Sequence, residues 1–375
     1  MYSESRSSAG QATGQRSRFR NALGVLEDAI GAYAFPGCAF GVLAGSEIVL
    51  QGSLGRFTSE EDSQPVAADT VYDVASLTKV VATTAAAMLL VQRGQLDLEI
   101  PLGDVLPGFV VDRAAEDQAR NVTVRHLLAH SSGLPGYVEL FRAASTPGGL
   151  LEACLRLPVE VAPGTRAEYS DPGFILLGKS IEALVREDLA GWTRREVFAP
   201  LGMTDTGFCP PLAARATIPP TEVDSDFRHR CIQGEVQDEN AWVLGGVAGH
   251  AGLFSNVPDL LHFAAAILGE KMPHEPRETP TLFDRRIVEQ FAQRQLPQGS
   301  SRALGWDTPS EPSSSGMHFS RHSIGHLGYS GCSLWIDLDA GLAVVLLSNR
   351  TWPDRKSQLI RQVRPAFHDA VREAI

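Results

Sequence analysis

Lysine is scarce in this chain: Lys79, Lys179, Lys271 and Lys356 are the only four among 33 basic residues. A motif that requires lysine therefore has few chances to arise by accident. Cysteine is sparse as well. Cys38, Cys154, Cys209, Cys231 and Cys332 are odd in number, widely spaced and without a Cys-x-x-Cys pair, which excludes a disulfide framework or a zinc ribbon and predicts reduced thiols. Positive charge is in deficit, with a formal net charge of −11 over 375 residues, and this argues against an extended footprint for nucleic acid or an anionic membrane. The first twenty residues, rich in Ser, Gly, Gln and Arg, contain no signal-peptide core, and no later run approaches the roughly 18 apolar residues that span a bilayer. Together these absences predict a cytoplasmic protein whose partner is a small molecule or peptide. They leave the oligomeric state open.

What is present is a hydrophobic content of 43%, enough at this length for a large core. Residues 1–18 read as a disordered tail. Phe19, Leu23, Leu26, Ile30 and Tyr33 then recur at helical steps. Cys38 to Ala44 and Glu47 to Leu54 are β-rich runs about Gly45-Ser46, a hairpin signal. Leu77 to Gln92 reads as a helix buried on nearly all sides, and Phe174 to Arg186 as another. Near the C-terminus, Ser333 to Asp337 and Leu342 to Ser348 are short β-type runs, and Ser357 to Ile375 is helical. Met272 to Pro280 and Thr308 to Ser323 read as loops. Strands at both ends with helices between them predict one sheet assembled from the two termini. The expected partition is 19–80 with 245–375 as an α/β domain, and 81–244 as a mainly helical insertion.

In Ala75-Ser76-Leu77-Thr78-Lys79, Ser and Lys stand three residues apart at the start of a helix, so both lie on one face. A serine hydroxyl is a weak nucleophile until a neighbouring base takes its proton, and a lysine amine serves when burial lowers its pKa. A lysine inside an otherwise apolar helix needs a partner or a function, because burying its charge is costly.

The run Asp69-Thr70-Val71-Tyr72-Asp73-Val74-Ala75-Ser76-Leu77-Thr78-Lys79 resembles the first motif of the superfamily of class C β-lactamases, esterases and D-Ala-D-Ala peptidases. The segment from Val124 to Leu134 is similar to a second signature. Asp238-Glu239-Asn240-Ala241, with Leu244 through Ser255, resembles one bacterial branch, and Gly325-His326-Leu327-Gly328 through Leu347-Ser348-Asn349-Arg350 resembles the last motif and its strands. Four motifs in order, over about residues 20 to 375, are far more specific than any one. The resemblance implies an α+β fold of the β-lactamase/DD-peptidase type, an antiparallel sheet from both termini flanked by helices, with a helical insertion. It also implies a serine hydrolase working through an acyl-enzyme on a small ester or amide, with no metal or organic cofactor. D-Ala-D-Ala carboxypeptidase or β-lactamase activity is the alternative within hydrolases, and a non-catalytic binding or regulatory protein the alternative outside them.

Under that resemblance Ser76 is the nucleophile, and Lys79 and Tyr169 transfer its proton. The family's Tyr-x-Asn element reads Tyr169-Ser170-Asp171, so Asp171 departs from the pattern. Followed by Pro172, it is either a helix cap or part of the site's electrostatics. The family's Lys-Thr-Gly or His-Thr-Gly element reads His326-Leu327-Gly328. His326 is a catalytic candidate, Gly328 permits close approach of strand and substrate, and the N–H groups of Ser76 and Tyr329 would form the oxyanion hole. Leu327 replaces a hydroxyl that would hold a substrate carboxylate, which predicts that neutral esters outperform carboxylate-bearing substrates; if a carboxylate is bound all the same, His250, Arg350 and His326 are the next candidates to read it. His250, in the glycine-rich stretch from Gly245 to Gly252, is a candidate substrate contact. His126 and His130 have zinc-pair spacing but no third ligand, and are read as structural, with Gly133 ending their helix.

Overall fold

The structure, a computed structural model, describes residues 17–272 and 281–375. All but the last two residues of the predicted tail, and all but Met272 of the first predicted loop, lie outside the described residues. The first helix, α1 (Arg20–Gly31), buries Ala22, Leu26 and Ala29. Phe19 is buried beside it, but Tyr33 lies beyond its end at positive φ and is 77% exposed, so the apolar stripe stops a turn earlier than predicted.

The predicted hairpin is β1 (Gly37–Ala44) and β2 (Glu47–Gly55), turned at Gly45 with φ +57°. Next come α2 (Ala85–Gln92), α3 (Asp171–Val185) and α4 (Val257–Leu268), and then the strands β3 (Ser323–Leu327), β4 (Ser333–Asp337) and β5 (Leu342–Ser348). The closing helix is α5 (Ile360–Glu373). The sheet order is β2-β1-β5-β4-β3, with every pairing antiparallel. Residues from both termini thus form one sheet in an α+β fold.

The central strands β1 and β5 are buried along nearly their whole length, which matches their unbroken apolar sequences. Helix α4 covers one face of them, and α1 and α5 pack together on the other. Gly41 explains how closely α4 approaches. A Cβ there would stand 2.5 Å from a methyl of Val257, so any larger residue would push the helix off the sheet. Strand β3 is an edge strand, and its free side faces the turn at Ser76.

Leu77 to Gln92 is helical as predicted but begins irregularly. A 3₁₀ turn, Ala75–Leu77, leads into a π-type turn, Lys79–Thr84, before α2. Contrary to the expectation that no run approaches bilayer length, Ala75–Gln92 is long and apolar enough to span one. It is packed inside the protein core instead, with 83% of the segment buried.

Candidate active site

The turn carrying Ser76 is held from below. Asp73 is buried, and its two carboxylate oxygens accept the backbone N–H groups of Ala75 at 2.8 Å and Gln237 at 2.7 Å. Burial outweighs those bonds and raises its pKa to about 6. Ala75 takes φ +48°, a costly conformation for a residue with a Cβ, of the kind that persists where surrounding structure enforces it. Thr78 pins the turn from the other side: its hydroxyl donates to the Ala75 carbonyl at 2.6 Å and accepts from Leu253 N–H at 3.1 Å.

Lys79 is fully buried, and its Nζ donates to Ser76 Oγ at 3.0 Å and to the His250 carbonyl at 3.0 Å. It also forms a 2.7 Å ion pair with Asp171 Oδ1. Burial, the largest single influence, favours the free amine, but the Asp171 carboxylate and the Tyr169 phenol outweigh it and raise the pKa above the ordinary lysine value. The expectation that burial lowers the Lys79 pKa is therefore reversed. The residue responsible is the one that departs from the family pattern.

Asp171 is not the helix cap. Ser170 caps α3, accepting Gly173 N–H at 3.0 Å while its own hydroxyl donates to the Pro135 carbonyl. Asp171 occupies the first helical position and is free to face Lys79. Tyr169 precedes the cap, with Lys79 Nζ 4.8 Å from its ring centroid. Desolvation raises the phenol's pKa against the pull of Lys79.

His130 fixes this segment, a role the sequence reading left simply as structural. Its carbonyl accepts Glu168 N–H and its Nδ1 accepts Ser170 N–H at 3.0 Å, clamping both neighbours of Tyr169. The helix Val124–Leu128 is already ended at His130, φ +53°, three residues before Gly133, which is left-handed as well at φ +79°. His126 closes a capping box with Thr123 at that helix's start.

On β3, the buried His326 donates from Nδ1 to the Leu327 carbonyl at 2.8 Å. Nε2 therefore carries the lone pair, and it has no hydrogen-bond partner among the described residues. Burial, reinforced by Lys79 and Arg302, holds its pKa well below the ordinary value, so the ring is neutral. A Cβ on Gly328 would lie 2.4 Å from the Val74 carbonyl, so only glycine lets this strand end meet the turn that carries Ser76. Among the described residues, no backbone carbonyl accepts the N–H of Ser76 or Tyr329.

Two cavities meet at Ser76, Tyr169 and Tyr329. One, of about 320 Å³, is lined by His326, Leu327 and Gly328 and by four arginines, Arg302, Arg350, Arg361 and Arg364. The other, of about 360 Å³, is lined by Asp73, Glu139, Asp171, Asp238 and Glu239, with Tyr137, Gln237 and Arg355. His250 lines neither. Its Nε2 contacts Asp238 Oδ1 at 2.9 Å, so it stands behind a wall residue instead of facing substrate directly. Arg350, the fallback candidate for a substrate carboxylate, is on this wall with His326; Arg302, Arg361 and Arg364 carry no sequence motif, although Arg361 and Arg364, three apart on one helix, offered a signal. Glu222, Asp224 and Glu239 are close enough together to suggest a cation site, but Arg228 and Arg355 already pair with them.

A serine hydrogen-bonded to a buried lysine, beside two N–H groups with no backbone acceptor, is the arrangement of a serine hydrolase of the Ser-x-x-Lys type. Residues 23–365 match the Beta-lactamase family model, and the chain belongs to that family. A relative from Salmonella typhi named "Putative D-alanyl-D-alanine carboxypeptidase" is 30% identical, with 84% of this chain and 79% of that protein covered. Among solved structures, "EstCE1, a hydrolase with promiscuous acyltransferase activity" superposes with a TM-score of 0.76 at 19% identity, covering 96% of this chain and all of that one. A penicillin-binding protein homologue from Caulobacter crescentus gives 0.75 at 17% identity, covering 96% and 98%.

Proposed function

We propose that Ser76 attacks the carbonyl of a small ester, amide or peptide, forming an acyl-enzyme that water then hydrolyses. The contact of Lys79 with both Ser76 and Asp171 carries this reading. The Ser76 proton passes to Lys79 once the ammonium has given its own proton to Asp171 across their 2.7 Å contact or to solvent, and Tyr169 relays it to the leaving group. The N–H groups of Ser76 and Tyr329 stabilise the oxyanion, and neutral His326 on the cavity wall is the candidate that takes a proton from the incoming water. The same reading keeps the partition of 19–80 with 245–375, which supply the sheet, from 81–244, which supplies Tyr169 and Asp171. Cytoplasmic residence belongs to it too, supported by five free thiols and tested by cell fractionation.

Among substrates, an ester or small amide comes first, and the relative's name brings D-Ala-D-Ala peptides in as the alternative. The test is a rate screen across p-nitrophenyl esters, nitrocefin and D-Ala-D-Ala peptides. Turnover of at least one class that is lost in Ser76→Ala supports the reading. A folded protein that turns over none of them is a binding protein on this fold.

A further inference from the structure

The two cavities that flank Ser76 carry opposite charge. In the first, Arg350 donates only to the carbonyls of Tyr329, Arg355 and Ser357, and Arg364 only to those of Gly328, Gly331 and Cys332. Both are largely buried with no carboxylate partner among the described residues, and Asp307, 3.8 Å from Arg302, is the one acid on that wall. Burial and mutual repulsion lower the pKa of Arg364 to about 10. Buried charge without a counter-charge is costly, and here an anionic ligand would supply it. The buried, neutral His326 lines the same space.

In the second cavity five carboxylates line the wall against Arg355 alone. Lys79 and Arg142 pair with two of them, and His250 Nε2 contacts Asp238, but none of the three is part of that wall. Burial, then Asp238 and Glu239, push the Tyr137 phenol's pKa upward, and its half-exposed ring offers a face to a cation. The Gln237 side chain, buried on this wall, has an Nε2 without a hydrogen-bond partner among the described residues.

The geometry points to a bipolar substrate: a short peptide with both termini free, its ammonium in the carboxylate cavity, its carboxylate in the arginine cavity and its scissile carbonyl at Ser76. This rests on the serine-hydrolase reading of the same site and narrows it. Chemically the step balances as peptide hydrolysis. The Ser76 Oγ–carbon bond forms and the C–N bond breaks, the serine proton leaves on the new amine, and water returns a proton to Ser76 while its hydroxyl completes the acid.

The test uses alanyl-alanine in D,D and L,L forms, each with the amine free or acetylated and the carboxylate free or amidated. Each peptide is measured as a substrate and as a competitive inhibitor of p-nitrophenyl acetate turnover. Each cap should weaken inhibition by about tenfold, the scale of a hydrogen bond to a charged group. Glu139→Gln should shrink the effect of acetylation and Arg361→Gln that of amidation. Inhibition constants within about twofold across the four forms, in both configurations, would overturn the proposal while leaving ester turnover, and with it the hydrolase reading, intact. Loss of p-nitrophenyl acetate turnover itself would strike the hydrolase reading instead.

Discussion

Lys79 and His326 belong to the same site, and both are buried to within 3% of full enclosure, yet one is charged and the other neutral. Burial alone drives either group to neutrality. Lys79 escapes because a carboxylate touches it, whereas the charges that act on His326 are those of Lys79, Arg302 and Arg364, which together with burial outweigh its bond to the Leu327 carbonyl and keep it neutral. Protonation at this site is therefore set by the partner each base was given more than by depth. The resting site keeps a positive charge on the side of α3 and a neutral imidazole on the side of β3.

The largest effect should come from removing the hydroxyl that Lys79 contacts. Ser76→Ala should abolish turnover while changing stability little, because Lys79 keeps Asp171 and the His250 carbonyl as partners, and a single neutral hydrogen bond is worth about 1 kcal/mol. Circular dichroism and a steady-state assay on one preparation check both halves. Lys79→Arg should be nearly as damaging as Lys79→Ala, since a guanidinium keeps the charge but gives up no proton at working pH. Retention of more than about a tenth of the rate, a barrier change under about 1.4 kcal/mol, would mean that only fixed charge is needed on that side.

Asp171→Asn sharpens the comparison by making Lys79 resemble His326, a buried base without a counter-charge. An opposite charge at this range is worth about 1–3 pKa units, so the rising alkaline limb of kcat/KM should move to lower pH by about that much. Lys79 has a folded pKa above its ordinary 10.5. The pair's contribution to stability is thus present below that pH and lost as pH rises through the folded value. Denaturant titrations should show Asp171→Asn costing stability at neutral pH and progressively less in alkali. An unmoved limb would remove Asp171 from the control of Lys79.

The smallest effect concerns the β3 side. Leu327 offers no hydroxyl to a carboxylate, as its sequence implied, but it lines a cavity with four arginines, so the expected rejection of carboxylate substrates no longer follows from that one residue. Leu327→Thr should raise the ratio of β-lactam to neutral-ester kcat/KM by about 1–3 kcal/mol if the new hydroxyl binds the carboxylate. No change would mean that the guanidiniums already satisfy it.

The legible parts of the molecule were those written in local pattern. The β1–β2 hairpin, β4 and β5 announced themselves through apolar runs and turn residues, and Ser76 and Lys79 through a spacing that scarce lysine makes unusual. What local pattern cannot carry is a partnership across the chain. Asp171 was ambiguous because Pro172 made it look like a cap, and only Ser170's bond to Gly173 N–H shows that the cap lies one residue earlier. His250 looked exposed to substrate in a glycine-rich stretch, yet its partner Asp238 stands between it and the cavity. The four arginines lie on segments from Arg302 to Arg364 and become one wall only after β3 and α5 are placed.

The central claim, that Ser76 is acylated during turnover, is tested most directly by quenching the enzyme in acid during hydrolysis of p-nitrophenyl acetate and mapping the adduct by peptide mass spectrometry. An acetyl group on the peptide containing Ser76, accumulating in a burst and absent from Ser76→Ala, is the predicted result. Steady turnover with Ser76 unmodified and the acetyl group on another residue would contradict it.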